Sequence, residues 1–167
     1  LGLLLSACQS LFTPNYRAPL EVKRDAWEHV KPGCSESDCP LVNIDTVHFP
    51  ALPALDGIVE KRLLQLTEDN QHGTAPSTLQ AYEQQYLASA DKRNSSYLQA
   101  KVREQHDGLV IIELSSYLDQ GATHGEPGRA FINYSRQQQK ALSLTDMLLP
   151  GIKINTSPTD YYPLEQL

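Results

Sequence analysis

Apolar and polar positions alternate along part of this chain and recur with helical spacing along another part. The alternation that begins at Val42 predicts a half-buried strand over 41–49. Leucine, isoleucine and valine then recur at helical spacing, which predicts an amphipathic helix over 54–67. Ser77-Thr78-Leu79-Gln80 has the form of a capping box and predicts a second helix that reaches about Asp91.

The next two predicted strands, over 97–106 and 109–118, are joined by a hairpin. Asp107-Gly108 lies between them, and this pair favours a type I′ turn, whose two central residues both have a positive φ. The run 109–112 contains only apolar residues, so we expect it to be buried on both faces of the sheet.

The remaining pattern completes the fold class. Residues 130–135 alternate as a further strand, residues 136–140 form a polar turn, and residues 142–149 enter a short helix that Pro150-Gly151 ends. The order β-α-α-β-β-β-α is typical of an α+β domain. It predicts a largely antiparallel sheet with two helices packed on one face.

The apolar N-terminus ends at a cysteine. Residues 1–7 are typical of the end of a secretory signal, and Leu5-Ser6-Ala7-Cys8 resembles the lipobox of bacterial lipoproteins. In this interpretation Cys8 is lipidated and anchors the protein in a membrane. Gln9 then favours the periplasmic side of the outer membrane. The alternative is an apolar terminus that arose by chance, with an ordinary thiol.

Residues 8–40 are predicted to be a tether, because prolines interrupt them and no periodicity is sustained. Cys34 and Cys39 frame a short polar loop within this segment. In an oxidising periplasm they are expected to form a disulfide. A metal pair is the alternative, but no second pair of Cys or His ligands completes a zinc site.

Length and charge restrict the classes of function. The 167 residues suit one domain, and the hydrophobic content of 40% is enough for a core. The net charge of −6 argues against a nucleic-acid partner, which would need clustered Lys and Arg. We expect no cofactor.

The segment 121–126, Gly-Ala-Thr-His-Gly-Glu, holds the candidate chemistry. His124 is a candidate general base that Asp119 or Glu126 would orient. Ser115 or Ser116 would be the nucleophile, although neither lies in a Gly-x-Ser-x-Gly elbow.

The histidines give no support for a metal site. None of the five stands in a His-x-His or His-Glu-x-x-His pattern, and we expect no metal. A lone histidine near a carboxylate is most often structural.

A structural turn is the favoured alternative for the same segment. Gly121 and Gly125 permit the positive φ that a chain reversal requires. Glycine also lets a partner approach the backbone closely, in which case Thr123 and His124 offer hydrogen bonds from a projecting loop.

Tyrosine is more frequent than phenylalanine in this chain. Tyrosine suits glycan stacking and protein interfaces because it combines an apolar face with a polar tip. Tyr117 and Tyr134 are therefore candidate ligand contacts, beside the loop. For Tyr82, Tyr86 and Tyr97 we favour half-buried structural positions.

Three stretches, over 115–125, 131–134 and 142–148, resemble an envelope domain of unknown function. It is found in RsiV-type anti-sigma factors and PdaC-type peptidoglycan deacetylases. That family has a tyrosine-bearing strand, a loop of the form Gly-Gly-Ala-His-Gly, a strand with an Asn-Tyr or Asn-Phe pair, and then Leu-Ser-Leu-x-Asp-Leu-Phe. In this chain Gln120 replaces the first loop glycine and Thr123 is inserted before His124.

The resemblance implies a domain over 41–150 and a binding role. In the deacetylases a separate domain is catalytic, and in the anti-sigma factors this domain binds lysozyme. The family usually continues into a second half, so residues 151–167 are either an irregular tail or the start of a truncated half. A truncated half would leave an exposed sheet edge.

Three hypotheses follow. The first is a periplasmic lipoprotein whose domain binds peptidoglycan or a lysozyme-like protein without catalysis. The second is a glycan or peptide hydrolase or deacetylase that uses His124 with Asp119 or Glu126. The third is a structural or assembly role. The sequence does not determine the oligomeric state.

Overall fold

The computed structural model describes residues 15–67, 75–121 and 124–148. These described residues form a six-stranded sheet and three helices. In chain order they are β1 (Lys23–Val30), β2 (Leu41–His48), α1 (Pro53–Gln65), α2 (Leu79–Ser89), β3 (Ser95–His106), β4 (Leu109–Asp119), β5 (Glu126–Ser135), β6 (Lys140–Ala141) and α3 (Leu144–Met147). The prediction of an α+β fold is confirmed.

The sheet is mostly antiparallel and its strands lie in chain order from β1 to β6. Among the described strands, β2 and β3 are the one parallel pair, because α1 and α2 lie between them in sequence and return the chain to the same end of the sheet. Asp107 and Gly108 have φ values of 47° and 82° and join β3 to β4, which confirms the predicted hairpin turn.

One face of the sheet is buried. The alternate residues of β2 to β5 form it with almost no exposure, among them Val42, Ile44, Leu98, Val110, Ile112, Leu114 and Ile132. Side chains of α1 and α2, including Leu55, Val59, Leu63 and Leu87, belong to the same hydrophobic cluster. The helices therefore supply the apolar partners that the sheet alone lacks.

The prediction that 109–112 is buried on both faces is wrong. Val110 and Ile112 are fully buried, whereas Leu109 and Ile111 are only half-buried.

The two long helices begin close to the predicted residues, but the capping residue of the second helix differs from the prediction. α1 begins at Pro53, whose fixed φ suits the first turn. The N-cap of α2 is Thr78, whose hydroxyl accepts a hydrogen bond from the Ala81 amide at 3.1 Å. The predicted capping box starting at Ser77 is therefore wrong by one residue. α3 has a capping box, formed by Ser143 and Asp146.

The tether prediction for 8–40 is wrong for the residues that form β1. Every residue from Lys23 to Val30 pairs with β2, in antiparallel register. Trp27 packs against the core, while the rest of β1 is exposed. Because β1 is an edge strand with little burial, its sequence shows no alternation of apolar and polar residues. The domain therefore includes residues well before Leu41.

The predicted disulfide between Cys34 and Cys39 is confirmed, with a Cα–Cα distance of 5.8 Å. It closes the β1–β2 connection. The Arg93 amide donates a hydrogen bond of 2.8 Å to the Asp38 carbonyl, so this loop also contacts the turn that precedes β3.

Several predictions concern residues outside the described ones: the signal remnant over 1–7 with the lipidated Cys8, the loop residue Thr123, the helix end at Pro150-Gly151 and the tail over 151–167. The polar turn predicted over 136–140 includes Lys140, which with Ala141 pairs with the end of β5. Within the described ranges, no helix has the length and apolar character needed to cross a bilayer.

Candidate functional site

The second face of the sheet, which we call the open face, is half-buried to exposed. Strand register places one residue from each neighbouring strand side by side on it. The open face consists of Asn43, Asp45, Tyr97, Gln99, Lys101, Glu113, Ser115, Tyr117, Pro127, Arg129 and Phe131.

Two tyrosines lie next to each other at one end of the open face. Tyr97 and Tyr117 are cross-strand partners in β3 and β4, and their ring centroids are 6.3 Å apart at an interplanar angle of 55°. They are 39% and 43% exposed. The prediction that Tyr97 is a structural half-buried residue is therefore wrong.

A groove of about 550 Å³ runs along these rings. Asn43, Asp45, Gln99, Ser115 and Arg129 are among the residues that line it. An aromatic surface bordered by amide, hydroxyl and charged groups is the composition that fits a polar ligand with apolar faces.

The loop after β4 supports Tyr117. A Cβ on Gly125 would lie 2.3 Å from Cζ and 2.4 Å from Oη of Tyr117, so only glycine fits without moving the ring. Gly121 has a φ of 77°, and its amide donates a hydrogen bond of 2.9 Å to the Asp119 carboxylate. Both glycines thus have structural reasons to be present.

The candidate catalytic residues are not brought together. His124 and Glu126 are exposed, and neither side chain makes a hydrogen bond or ion pair with any described residue. The Asp119 carboxylate accepts from Gly121 instead of orienting His124. Ser116 is buried, and only Ser115 lies on the open face.

The prediction that Tyr134 contacts a ligand is wrong. Tyr134 is 1% exposed and belongs to the hydrophobic core. It lies two residues after Ile132, which is also buried, and therefore on the same side of β5. That alternation is present in the sequence and would have placed it correctly.

Tyr82 and Tyr86 occupy the structural positions predicted for them. The Tyr82 hydroxyl and the Ser96 hydroxyl are 2.7 Å apart in the buried interior. Burial raises the pKa of Tyr82 to about 12, although the Ser96 hydrogen bond acts in the opposite direction. Burial also raises the pKa of Tyr86, with smaller contributions from the charges of Tyr82 and Asp119.

Two carboxylates on the open face are held in ion pairs. The hydrogen bond from Arg24 lowers the pKa of Asp45, and Gln99 adds to this effect. The hydrogen bond from Arg103 lowers the pKa of Glu113, with a contribution from the charge of Arg129. No sequence motif marks this cluster, because its members come from separate strands.

Metal ligands do not cluster in the part of the chain that the structure describes. No three His, Cys, Asp or Glu residues there are arranged to hold an ion.

Solved structures give the relationship of this chain to known proteins. A DUF3298 family protein from Pseudomonas aeruginosa PAO1 is 61% identical, with a TM-score of 0.76 over 81% of this chain and 61% of that one. A DUF3298 family protein from Bacteroides fragilis NCTC 9343 is 14% identical, with a TM-score of 0.57 over 80% of this chain and 62% of that one. The second similarity concerns the fold alone.

The chain spans about three fifths of the length of these two proteins. Scans against protein-family models and against curated proteins give no match. The structural neighbours of this chain are thus DUF3298 family proteins, which supports the prediction of a domain of unknown function.

Proposed function

We propose that this chain is a bacterial envelope lipoprotein with a non-catalytic domain that binds peptidoglycan on the open face. The resemblance to the RsiV-type and PdaC-type envelope domain supports the ligand class. The lipobox-like Leu5-Ser6-Ala7-Cys8 supports anchoring at Cys8 on the periplasmic side of the outer membrane. The Cys34–Cys39 disulfide agrees with an oxidising compartment.

The two long helices leave the open face accessible in this proposal. Trp27 Nε1 and His29 Nδ1 reach Glu83 of α2 on the side opposite to Asn43 and Asp45. Tyr82 of α2 reaches Ser96, and α1 supplies Leu55 and Leu63 to the same cluster. We infer that both helices cover one face of the sheet.

The single observation that carries the proposal is the exposed pair of Tyr97 and Tyr117 above a groove with polar walls. Sugar rings present apolar C–H faces and equatorial hydroxyls. The tyrosine rings contact the former, while Asn43, Gln99 and Ser115 donate to or accept from the latter.

The test is sedimentation with purified peptidoglycan sacculi. The full chain carrying Cys8→Ser, which prevents lipidation, is expected to sediment with sacculi. The double variant Tyr97→Ala/Tyr117→Ala is expected to bind about thirty-fold more weakly, since each ring contributes on the order of 1 kcal/mol.

Leu144→Ala is the matched control, because Leu144 is a large exposed apolar residue on α3 and not on the open face. It is expected to leave binding unchanged. Equal binding by the tyrosine variant and by the Leu144 control would contradict the proposal.

An assembly role is the second candidate, and a different observation favours it. β6 covers only Tyr134 and Ser135 of β5, and Phe131 nearby is 54% exposed. An edge strand with an exposed aromatic residue favours pairing with another chain. Analytical ultracentrifugation of Phe131→Lys distinguishes this role, because it predicts dissociation of a wild-type oligomer.

A further inference from the structure

Asp45 has its acceptor positions occupied. Arg24 donates to both of its oxygens, at 2.7 and 3.1 Å, and the Gln99 amide donates to one of them at 3.1 Å. This fork-to-fork arrangement is the strong geometry for an arginine and a carboxylate. Arg24 and Gln99 are therefore the direct hydrogen-bond partners of Asp45, and the charge of Lys101 makes only a smaller contribution to the lowered pKa of this carboxylate.

Glu113 is occupied in the same way. Arg103 lies 2.5 Å from one of its oxygens and Arg129 lies 3.3 Å from the other. Arg103 can reach Glu113 because it sits at the β-bulge of β3, where the strand gains a residue relative to β4. Two guanidinium groups thus share one carboxylate.

Lys101 is located between these two pairs. It lies directly opposite Glu113 in the register and two residues after Gln99, the partner of Asp45. The Lys101 side chain is exposed and makes no hydrogen bond or close ion pair with the residues over 15–67, 75–121 and 124–148, although its charge contributes to the lowered pKa values of Asp45 and Glu113. Its ammonium group keeps three donors available.

The grooves near Lys101 are richer in positive than in negative groups. A second groove of about 410 Å³, lined by Arg24, Val47 and Lys101, meets the tyrosine groove at Asp45 and Gln99. The lining of the two grooves together contains three cations, Arg24, Lys101 and Arg129, and one carboxylate, Asp45. This contrasts with the net charge of −6 of the whole chain.

We propose that the open face selects a saccharide that carries a carboxylate, and that Lys101 receives this carboxylate while Tyr97 and Tyr117 contact the sugar. The inference rests on the proposed function and narrows its ligand to the peptide-bearing muramyl unit of peptidoglycan. Neutral N-acetylglucosamine oligomers then bind through the tyrosines alone.

Calorimetric titration of the Cys8→Ser chain with two probes tests this inference. The probes are a disaccharide-tetrapeptide muropeptide, which carries carboxylates, and chitotetraose, which is neutral. The Cys8→Ser chain with no further substitution is expected to bind the muropeptide more tightly than chitotetraose. This difference in affinity should shrink as the NaCl concentration is raised.

Lys101→Gln is expected to weaken muropeptide binding about five-fold and to leave chitotetraose binding unchanged. Lys101→Arg keeps the charge and should retain the preference. Lys61→Gln makes the same change on α1, where Lys61 is exposed, and should have no effect on either probe.

The outcomes separate the two proposals. Two results would contradict the role of Lys101: an equal preference for the muropeptide over chitotetraose with Lys101 and with Lys101→Gln, or no such preference with Lys101. Either result leaves sugar binding by the tyrosines in place. If neither probe nor sacculi bind, the proposed function itself is wrong.

Discussion

At the residue scale, the tyrosines of this chain divide between two environments. Tyr82 is 4% exposed and shares a hydrogen bond with Ser96, whereas Tyr117 is on the open face with its ring against the backbone of Gly125. The same side chain therefore stabilises the core in one place and forms a contact surface in the other. Substitution of the buried tyrosine should therefore change stability, and substitution of the exposed tyrosine should change binding.

Burial of Tyr82 predicts a loss of stability at alkaline pH. Its pKa is about 12 in the folded state and near 10 in the unfolded state, so the folded protein holds the proton more tightly between these values. The contribution of Tyr82 to the free energy of unfolding should be constant below about pH 10 and fall as the pH rises toward about 12.

Urea unfolding at a series of pH values measures this effect. Tyr82→Phe should show a shallower decline, together with a loss of about 1–2 kcal/mol at neutral pH because the Ser96 hydroxyl loses its partner. Tyr97→Phe, on the open face, is the matched control. An alkaline decline as steep in Tyr82→Phe as in the wild type would contradict the assignment to Tyr82.

Gly125→Ala should affect binding more than stability. The added Cβ meets the Tyr117 ring, which is exposed and can rotate away, so we expect less than about 1 kcal/mol of destabilisation. Displacement of the ring should weaken sedimentation with sacculi about as much as Tyr117→Ala does. Unchanged binding in Gly125→Ala would show that the position of this ring is unimportant.

At the scale of elements, β1 is held by side chains as well as by its pairing with β2. Glu83 of α2 accepts a hydrogen bond from Trp27 Nε1 at 2.5 Å and one from His29 Nδ1, also at 2.5 Å. Lys31 donates to the Ala90 carbonyl at 2.8 Å, just after α2. These contacts connect an edge strand, which buries little apolar surface, to the helical layer.

Glu83→Ala should therefore loosen β1 locally. Loss of two hydrogen bonds to a carboxylate should increase amide hydrogen exchange in Lys23–Val30 at least about ten-fold. Exchange in the central strand β4 should change less. Gln85→Ala, an exposed change on the same helix, is the control. Equal exchange in β1 for both variants would exclude a role for Glu83 in holding the strand.

At the scale of the whole molecule, the domain begins before the disulfide loop. Leu20, Val22 and Trp27 pack against the core, and the Leu20 amide donates to the Gln105 side chain at 2.8 Å. The lower boundary predicted at residue 41 divides β1 from the sheet that it completes.

A chain that begins at Leu41 should be less stable than one that begins at Asn15. It loses β1, the disulfide and the apolar contacts of Leu20, Val22 and Trp27, and we expect a loss of at least about 3 kcal/mol, since each large apolar side chain contributes roughly 1.5–3 kcal/mol when buried. Urea unfolding of the two chains measures the difference. Equal free energies of unfolding would mean that residues 15–40 are a tether after all.

The features that the sequence determined by itself are local ones. Asp107-Gly108 specified a turn, Thr78 and Ser143 lie beside the helices that they start, and Cys34 and Cys39 are close enough in sequence to pair. Alternation located β2 to β5 because a buried face repeats every second residue. Each of these depends on residues within a few positions of one another.

Only the tertiary structure decided which distant residues became neighbours. The polar segment Lys23–Val30 is a strand because β2 offers it a free edge, and Tyr97 faces Tyr117 because the register of a hairpin aligns them. The Lys101 environment combines groups from β1 to β5. Contacts between strands depend on register, which one-dimensional spacing does not encode, so the open face became visible only in the folded chain.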